Sequence, residues 1–251
     1  KTLADRKMDR DADDERTIVD LLTEQVEFAD VIILNKIDLV DDNQKKALYA
    51  IIHSLNPVAE IIESEFGKVP LNKILNTNKF NIDVARQSAG WLKAWDAPRS
   101  EIDEYGVNSF VYKNRLPFHP ERLHDYLNGD LNRVVRAKGY FWIASQPDFV
   151  MSWSLAGAIG RFDAMGTWFA ATPKNRWPDD EDYVQNALKR FDGEYGDRAQ
   201  ELVFIGISMD KDEICAGLDK CLLTPDELAR GMSAWANLQD PFPKFKRKMA
   251  A

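Results

Sequence analysis

Residues 29–40, ADVIILNKIDLV, constrain this chain more than any other stretch. The run from Val31 to Leu34 has the composition of a strand covered on both faces, as central strands of parallel sheets are. It stops abruptly on Asn35-Lys36-Ile37-Asp38. Before it, DERTIVDLLTEQVEFA puts Ile18, Leu21, Leu22 and Val26 at helical spacing, with acidic residues in the first turn where the helix dipole favours them. After it, DNQKKALYAIIHSLN predicts a second helix stopped by Asn56-Pro57, and AEIIES a second short strand. Helix, strand, helix, strand is the grammar of a parallel α/β layer with right-handed crossovers. Ligands of such layers sit beyond the carboxyl ends of the strands, which is where residues 35–38 fall.

That tetrapeptide has the chemistry of a base-reading loop. A carboxylate two residues beyond Lys36 can accept two hydrogen bonds from the N1 and N2 edge of guanine, a paired donor pattern that adenine lacks. Asp38 is then the specificity residue, Asn35 ties neighbouring loops together and reaches the base, and the aliphatic stem of Lys36 lies along the ring. A base without the donor edge leaves the carboxylate unpaired, at a cost of about 1–3 kcal/mol. The plain alternative is a strand ending in a polar turn. A nucleotide site also needs a phosphate cradle, GxxxxGK[ST], whose amides and Lys hold phosphates while Ser or Thr holds magnesium. The one Gly-Lys pair, Gly67-Lys68, is followed by Val69 and lacks the earlier glycine. Either the nucleotide reading is wrong, or these residues are the C-terminal portion of a longer GTPase.

Five segments favour the second choice: DERTIVDLLTEQVEFADVIILNKIDLV, LNPVAEIIESEFGKVPLNKIL, GVNSFVYKNRLPFHPERLHDYL, VVRAKGYFWIAS and ELVFIGISMDKDEICAGLDKCLL. Together they resemble the CobW family of P-loop GTPases, and RFDAMGTWFAATPKNRWP is more similar to its zinc-responsive metallochaperone branch than to its cobalamin branch. The resemblance implies a fold in which the C-terminal part of a P-loop GTPase parallel sheet, residues 1–97, precedes an α+β CobW C-terminal domain, residues 98–251. It implies that Asn35, Lys36 and Asp38 read guanine, and that the loop ESEFGKV touches the base through backbone groups near Ser64 and Glu65. It further implies a parent protein that binds GTP or GDP with Mg²⁺, hydrolyses GTP and delivers zinc to a client protein. The P-loop, the switch regions and the CxCC metal motif of the family are not among these residues. The expectation is therefore that this chain alone is inactive, with weak guanine affinity and no catalytic residue or metal ligand of its own.

Beyond WLKAWDAPRSEIDEYG, which reads as a linker, the texture changes. VNSFVYK, GYFWIAS, FVMSWSLAG, GRFDAMGTWFAA and AQELVFIGIS predict strands of a mainly antiparallel sheet, HPERLHDYLNG and DEDYVQNALKRFDGEYG predict helices, and DKDEICAGLDKCLLTPDELARGMSAW predicts two closing helices. His119 and His124 fall about 140° apart around a helix, and Cys215 and Cys221 about 240° apart, so neither pair makes a metal face. Trp142, Trp153 and Trp168 lie in apolar strands and read as core. Arg133, Arg136 and Lys138 read as a solvated basic edge, and PKFKRKMAA as a mobile tail.

The net charge of −8 excludes a nucleic-acid partner held by a whole-protein positive field. No run approaches the ~20 apolar residues of a membrane span, and the first residues lack the apolar segment of a secretory signal. With two cysteines in 251 residues there is no disulfide scaffold, and a reducing cytoplasmic location is expected. Expected partners are guanine nucleotide, a metal-receiving client, the N-terminal GTPase half and a second copy of the chain. The alternative from another class is a non-catalytic interaction or regulatory module.

Overall fold

The computed structural model describes residues 18–80, 106–129, 131 and 133–245. They form two compact units, divided after Phe110, with Ile205–Met209 going to the first. The helix read from Asp14 is α1 (Ile18–Phe28); β1 (Val31–Asn35), α2 (Asp42–Leu55) and β2 (Glu60–Ser64) follow in the predicted order. β1 and β2 pair in parallel, from Val31 opposite Glu60 to Asn35 opposite Ser64, so both strands end level.

Local chemistry sets these boundaries. Asp41 accepts from the Gln44 backbone N–H and Gln44 from that of Asp41, a capping box that satisfies two orphan donors at the start of α2. The helix stops at Asn56, which is 1% exposed. Its amide nitrogen donates to the carbonyls of Val26 and Ala29 at the end of α1, both at 2.8 Å. Its side-chain oxygen accepts from the N–H groups of Val58 and Ala59, ahead of β2. One side chain thus fixes three elements against each other. On the solvent side, Lys45 and Tyr49 of α2 both donate to Glu63 of β2.

β1 is less covered than its composition predicts: Ile33 is 43% exposed, and Leu22 on α1 is 55% exposed. Among the described residues β1 has one neighbouring strand, so a run suited to the middle of a sheet lies at its edge.

The second sheet contains β3 (Val107–Asn114), β4 (Val134–Phe141), β5 (Phe149–Ala156), β6 (Ile159–Thr167) and β7 (Gln200–Ile207) in the spatial order β3-β7-β4-β5-β6. β5 runs antiparallel to both β4 and β6. Its helices are α3 (Pro120–Leu127), α4 (Glu181–Leu188), α5 (Lys211–Cys221), α6 (Pro225–Ala229) and α7 (Met232–Trp235). Trp142, Trp153, Phe118, Phe141 and Phe204 fill the core, and Trp168 is buried beside them. Gln200 is buried with them because its amide is satisfied: the oxygen accepts from Trp142 N–H, and the nitrogen donates to the carbonyls of Leu116 and Trp142. A side chain at Gly139 would collide with the Glu201 backbone carbonyl, so β4 and β7 meet only through a glycine.

Three expectations are corrected. β4 begins earlier than GYFWIAS and takes in the basic segment; Arg136 is 4% exposed and donates to Ser154 Oγ and the Leu155 carbonyl, so it joins β4 to β5 rather than forming a solvated edge. The closing segment forms three helices, because Thr224 starts a new capping box with Glu227 and Gly231 turns with φ 74°. The start of the supposedly mobile tail is held: Gln146 donates to Asp240 and to the Pro243 carbonyl, and accepts from Phe245 N–H. Phe242, just ahead of it, is buried against Phe141, Phe162 and His124. Residues 1–17, the linker from 91 to 105 and the last six residues lie outside the described residues. Among the described residues no helix is long and apolar enough to cross a membrane.

Candidate functional site

The level ends of β1 and β2 open two loops side by side. At the end of β1, Lys36 takes a left-handed backbone (φ 62°, ψ 35°) and the chain enters a 3₁₀ turn over Ile37–Leu39, closed by Leu39 N–H donating to the Lys36 carbonyl at 3.0 Å. That turn leaves Asp38 exposed, and among the described residues nothing pairs with its carboxylate. At the end of β2, Phe66 (φ 53°) and Gly67 (φ 71°) both turn left-handed, and Lys68 N–H donates to the Glu65 carbonyl. The Gly67 conformation is one that glycine adopts without strain. Ser64 is 3% exposed and its hydroxyl donates to the Lys68 carbonyl at 3.2 Å, closing its own loop. Glu65 points to solvent and Phe66 is 81% exposed at the loop tip.

One hydrogen bond joins the loops: Gly67 N–H donates to Asn35 Oδ1 at 3.1 Å. Asn35, Lys36 and Asp38 therefore stand in one loop, Ser64 and Glu65 in its neighbour, and the Asn35 side chain spans them. The arrangement offers an exposed pair of carboxylate acceptors, an aliphatic stem one turn away and backbone groups of the second loop. That set suits a planar ring with adjacent donors. Sequence reasoning missed Gly67 as the partner of Asn35 and Asn56 as the clamp behind both strands. Phe66-Gly67 carried a turn signal, whereas nothing local marked Asn56 beyond its place before Pro57.

Among the described residues no group of three or more His, Cys, Asp or Glu side chains could hold a metal ion. His119 serves as the cap of α3, its Nδ1 accepting from Arg122 N–H, and burial lowers its pKa. His124 packs edge-on against Phe242. Burial pushes the Cys221 thiol up to about 11 and raises that of Cys215, which keeps both as neutral packing groups.

The model for the CobW/HypB/UreG nucleotide-binding domain matches residues 2–63, and that for the cobalamin synthesis protein cobW C-terminal domain matches residues 107–222. A zinc-regulated GTPase metalloprotein activator of Dictyostelium discoideum is 39% identical over 246 residues, covering 96% of this chain and 52% of that protein. A zinc chaperone of Mycobacterium tuberculosis is 28% identical over 238 residues, covering 91% and 55%. The chain thus spans about half the length of these curated relatives. The Zn(II)-bound YjiA GTPase of E. coli overlaps 88% of this chain and 58% of its own, at 18% identity and a TM-score of 0.37, too low a likeness to carry weight. With the two models matching successive parts of the sequence, the chain belongs to the CobW family, joining CobW/HypB/UreG nucleotide-binding sequence to a CobW C-terminal domain.

Proposed function

We propose that this chain carries the base-reading end of a GTP-binding, GTP-hydrolysing zinc metallochaperone. The observation behind the reading is the Asn35 to Gly67 hydrogen bond at the level ends of two parallel strands, beside the open Asp38 carboxylate. Asp38 accepts from the guanine N1 and N2 edge, Lys36 lies along the ring, and the Ser64–Glu65 loop meets the base through its backbone. Phosphoryl transfer in P-loop GTPases rests on positioning and on charge neutralisation by Lys and Mg²⁺. Neither GxxxxGK[ST] nor CxCC occurs in the 251 residues, so in this reading the phosphates with Mg²⁺ and the zinc are held by other residues of the whole protein, and this chain alone does not turn over GTP. Residues 1–97 contribute to the GTPase domain and residues 98–251 form the C-terminal domain. Nucleotide state gates zinc release to a cytoplasmic client through rearranged loops. The names of the two relatives, a zinc-regulated GTPase metalloprotein activator and a zinc chaperone, support the metal and the activity.

Titrating the chain with GDP and with ADP while following backbone amides by NMR tests the base reading. GDP should shift resonances of residues 35–39 and 64–68, ADP should not, and Asp38→Ala should abolish the response. Equal responses to the two nucleotides would overturn it. A second reading, a non-catalytic interaction module, is favoured by the apolar groups that the first unit leaves open, with Leu39 72% and Phe66 81% exposed.

A further inference from the structure

The second unit contains a cavity of about 340 Å³ far in sequence from the loops above, between the end of β6, the turn Phe169–Ala171 and α4. A β-bulge shapes one wall. Val150 pairs with Gly166 and Met151 with Ala164, so Met165 is an extra residue on β6, and its side chain is 61% exposed. The turn is held rigidly: Trp168 indole N–H donates to the Phe149 carbonyl, and the Asp197 carboxylate accepts from the N–H groups of Phe169 and Ala170 at 2.9 Å each. Phe169 packs against Tyr183 of α4, and Tyr140 against Trp168. The cavity is therefore preformed, with Tyr140, Trp168, Phe169 and Tyr183 in its walls, and of a volume that takes a small ring-bearing group.

Its charges are lopsided. Arg190 lines the cavity and donates from Nη1 to Tyr140 Oη at 3.2 Å. Tyr140 in turn donates to Glu201, which also meets Lys113 at 3.6 Å. Arg115 spends its hydrogen bonds on the carbonyls of Arg190, Gly196 and Arg198. Lys113 is thus the cation that meets Glu201 directly, and Arg190 is linked to that carboxylate through the Tyr140 hydroxyl. The one carboxylate in the lining, Asp197, has a backbone N–H on each oxygen and Arg198 next to it in the chain. Among the described residues no carboxylate pairs with Arg190. Asn186, also in the lining, accepts from Lys189 through its side-chain oxygen, which leaves its amide N–H groups as donors. Arg190 and Asn186 thus present donors to the cavity, one of them cationic, and the Tyr183 hydroxyl can donate as well.

We propose that this cavity binds a ring-sized apolar group bearing a carboxylate, the ring between Trp168, Phe169 and Tyr183 and the carboxylate on Arg190 and Asn186. The inference does not depend on the nucleotide reading. Such a group can come from a free small acid or from an aromatic–acidic pair in a protein segment, and two probes separate the sources: 3-phenylpropionate, and the blocked peptide acetyl-Gly-Phe-Glu-Gly-amide.

The full chain is titrated with each probe and with its neutral amide counterpart while the amide resonances of Trp168, Ala171 and Ala187 are followed. The acid forms should bind about tenfold more tightly than the amides, and Arg190→Gln should remove that preference. Because Arg190 also holds Tyr140, Asn186→Asp serves as a second variant on an exposed position of α4: it adds a repelling charge, and should weaken the acid probes about tenfold with the fold unchanged. Tighter binding of the peptide identifies a protein segment as the source, and tighter binding of phenylpropionate a small acid. Equal binding of acid and amide, or no response to either acid at about 10 mM, overturns the proposal.

Discussion

Replacing Asn56 by alanine should loosen the first unit more than any other single truncation there. The side chain makes four hydrogen bonds, to the carbonyls of Val26 and Ala29 and to the N–H groups of Val58 and Ala59, and is 1% exposed. Val58 is 65% exposed, so its N–H can turn to water once the partner is gone, leaving three groups to bear the loss. At a net worth of about 1 kcal/mol for each buried bond, the change costs about 3 kcal/mol. That corresponds to roughly hundredfold faster amide exchange in β1 and β2. Hydrogen exchange read at Ile61 and Ile62 measures it, with Leu202 and Phe204 of the second sheet as internal controls. Ser54→Ala, which deletes one bond to the Ala50 carbonyl within α2, should cost less than about 1 kcal/mol. Acceleration below about tenfold for Asn56→Ala, or equal acceleration in the second sheet, would refute the idea that this side chain clamps the layer.

Glu227 gives a pH prediction: the bidentate hydrogen bonds from Arg122 (2.7 and 2.8 Å) hold its pKa at about 2, below the usual 4.5. The pair's stabilisation is then fully present above about pH 4.5 and lost as pH falls towards 2; with the partly exposed partners screened by water it amounts to about 1–2 kcal/mol, and acid titration of Glu227→Gln should lack that component. Gln200→Leu should lower the urea-unfolding free energy by about 2–3 kcal/mol, since Trp142 N–H and the carbonyls of Leu116 and Trp142 lose their partner inside the core. Gly139→Ala, which sets a methyl group on the Glu201 carbonyl, should prevent β4 and β7 from closing, seen as loss of the near-ultraviolet signal of the buried tryptophans.

How much of this was legible in the sequence depended on the range of the forces involved. β1 and α2 are written in local pattern, and so were found; the capping box at Asp41 is as local but was not read. Asn35, Lys36 and Asp38 could be singled out because their chemistry lies within four residues, but the Gly67 N–H that Asn35 holds is 32 residues away. Arg136 looked like a surface cation because no sequence window contains Ser154 and Leu155 across the ladder. Phe245 sat among basic residues that suggested a mobile tail, although its ring packs on Phe149, about a hundred residues earlier, and Phe242 just ahead of it packs on Phe141 and Phe162. The bulge at Met165 had no signal beyond Gly166, since a bulge is a mismatch between two strands.

The strand order β3-β7-β4 carries a consequence for biosynthesis. β3 and β4 leave the ribosome early with a gap between them that only β7 fills, and β7 is made roughly sixty residues after β4 ends. At about 5–20 residues per second, two open strand edges wait for roughly 3–12 s, long enough to meet another nascent chain. During that interval Gly139, bare on β4, keeps the slot clear for the arriving backbone. The sheet is completed by insertion of β7 between two strands made before it, rather than by growth from an edge.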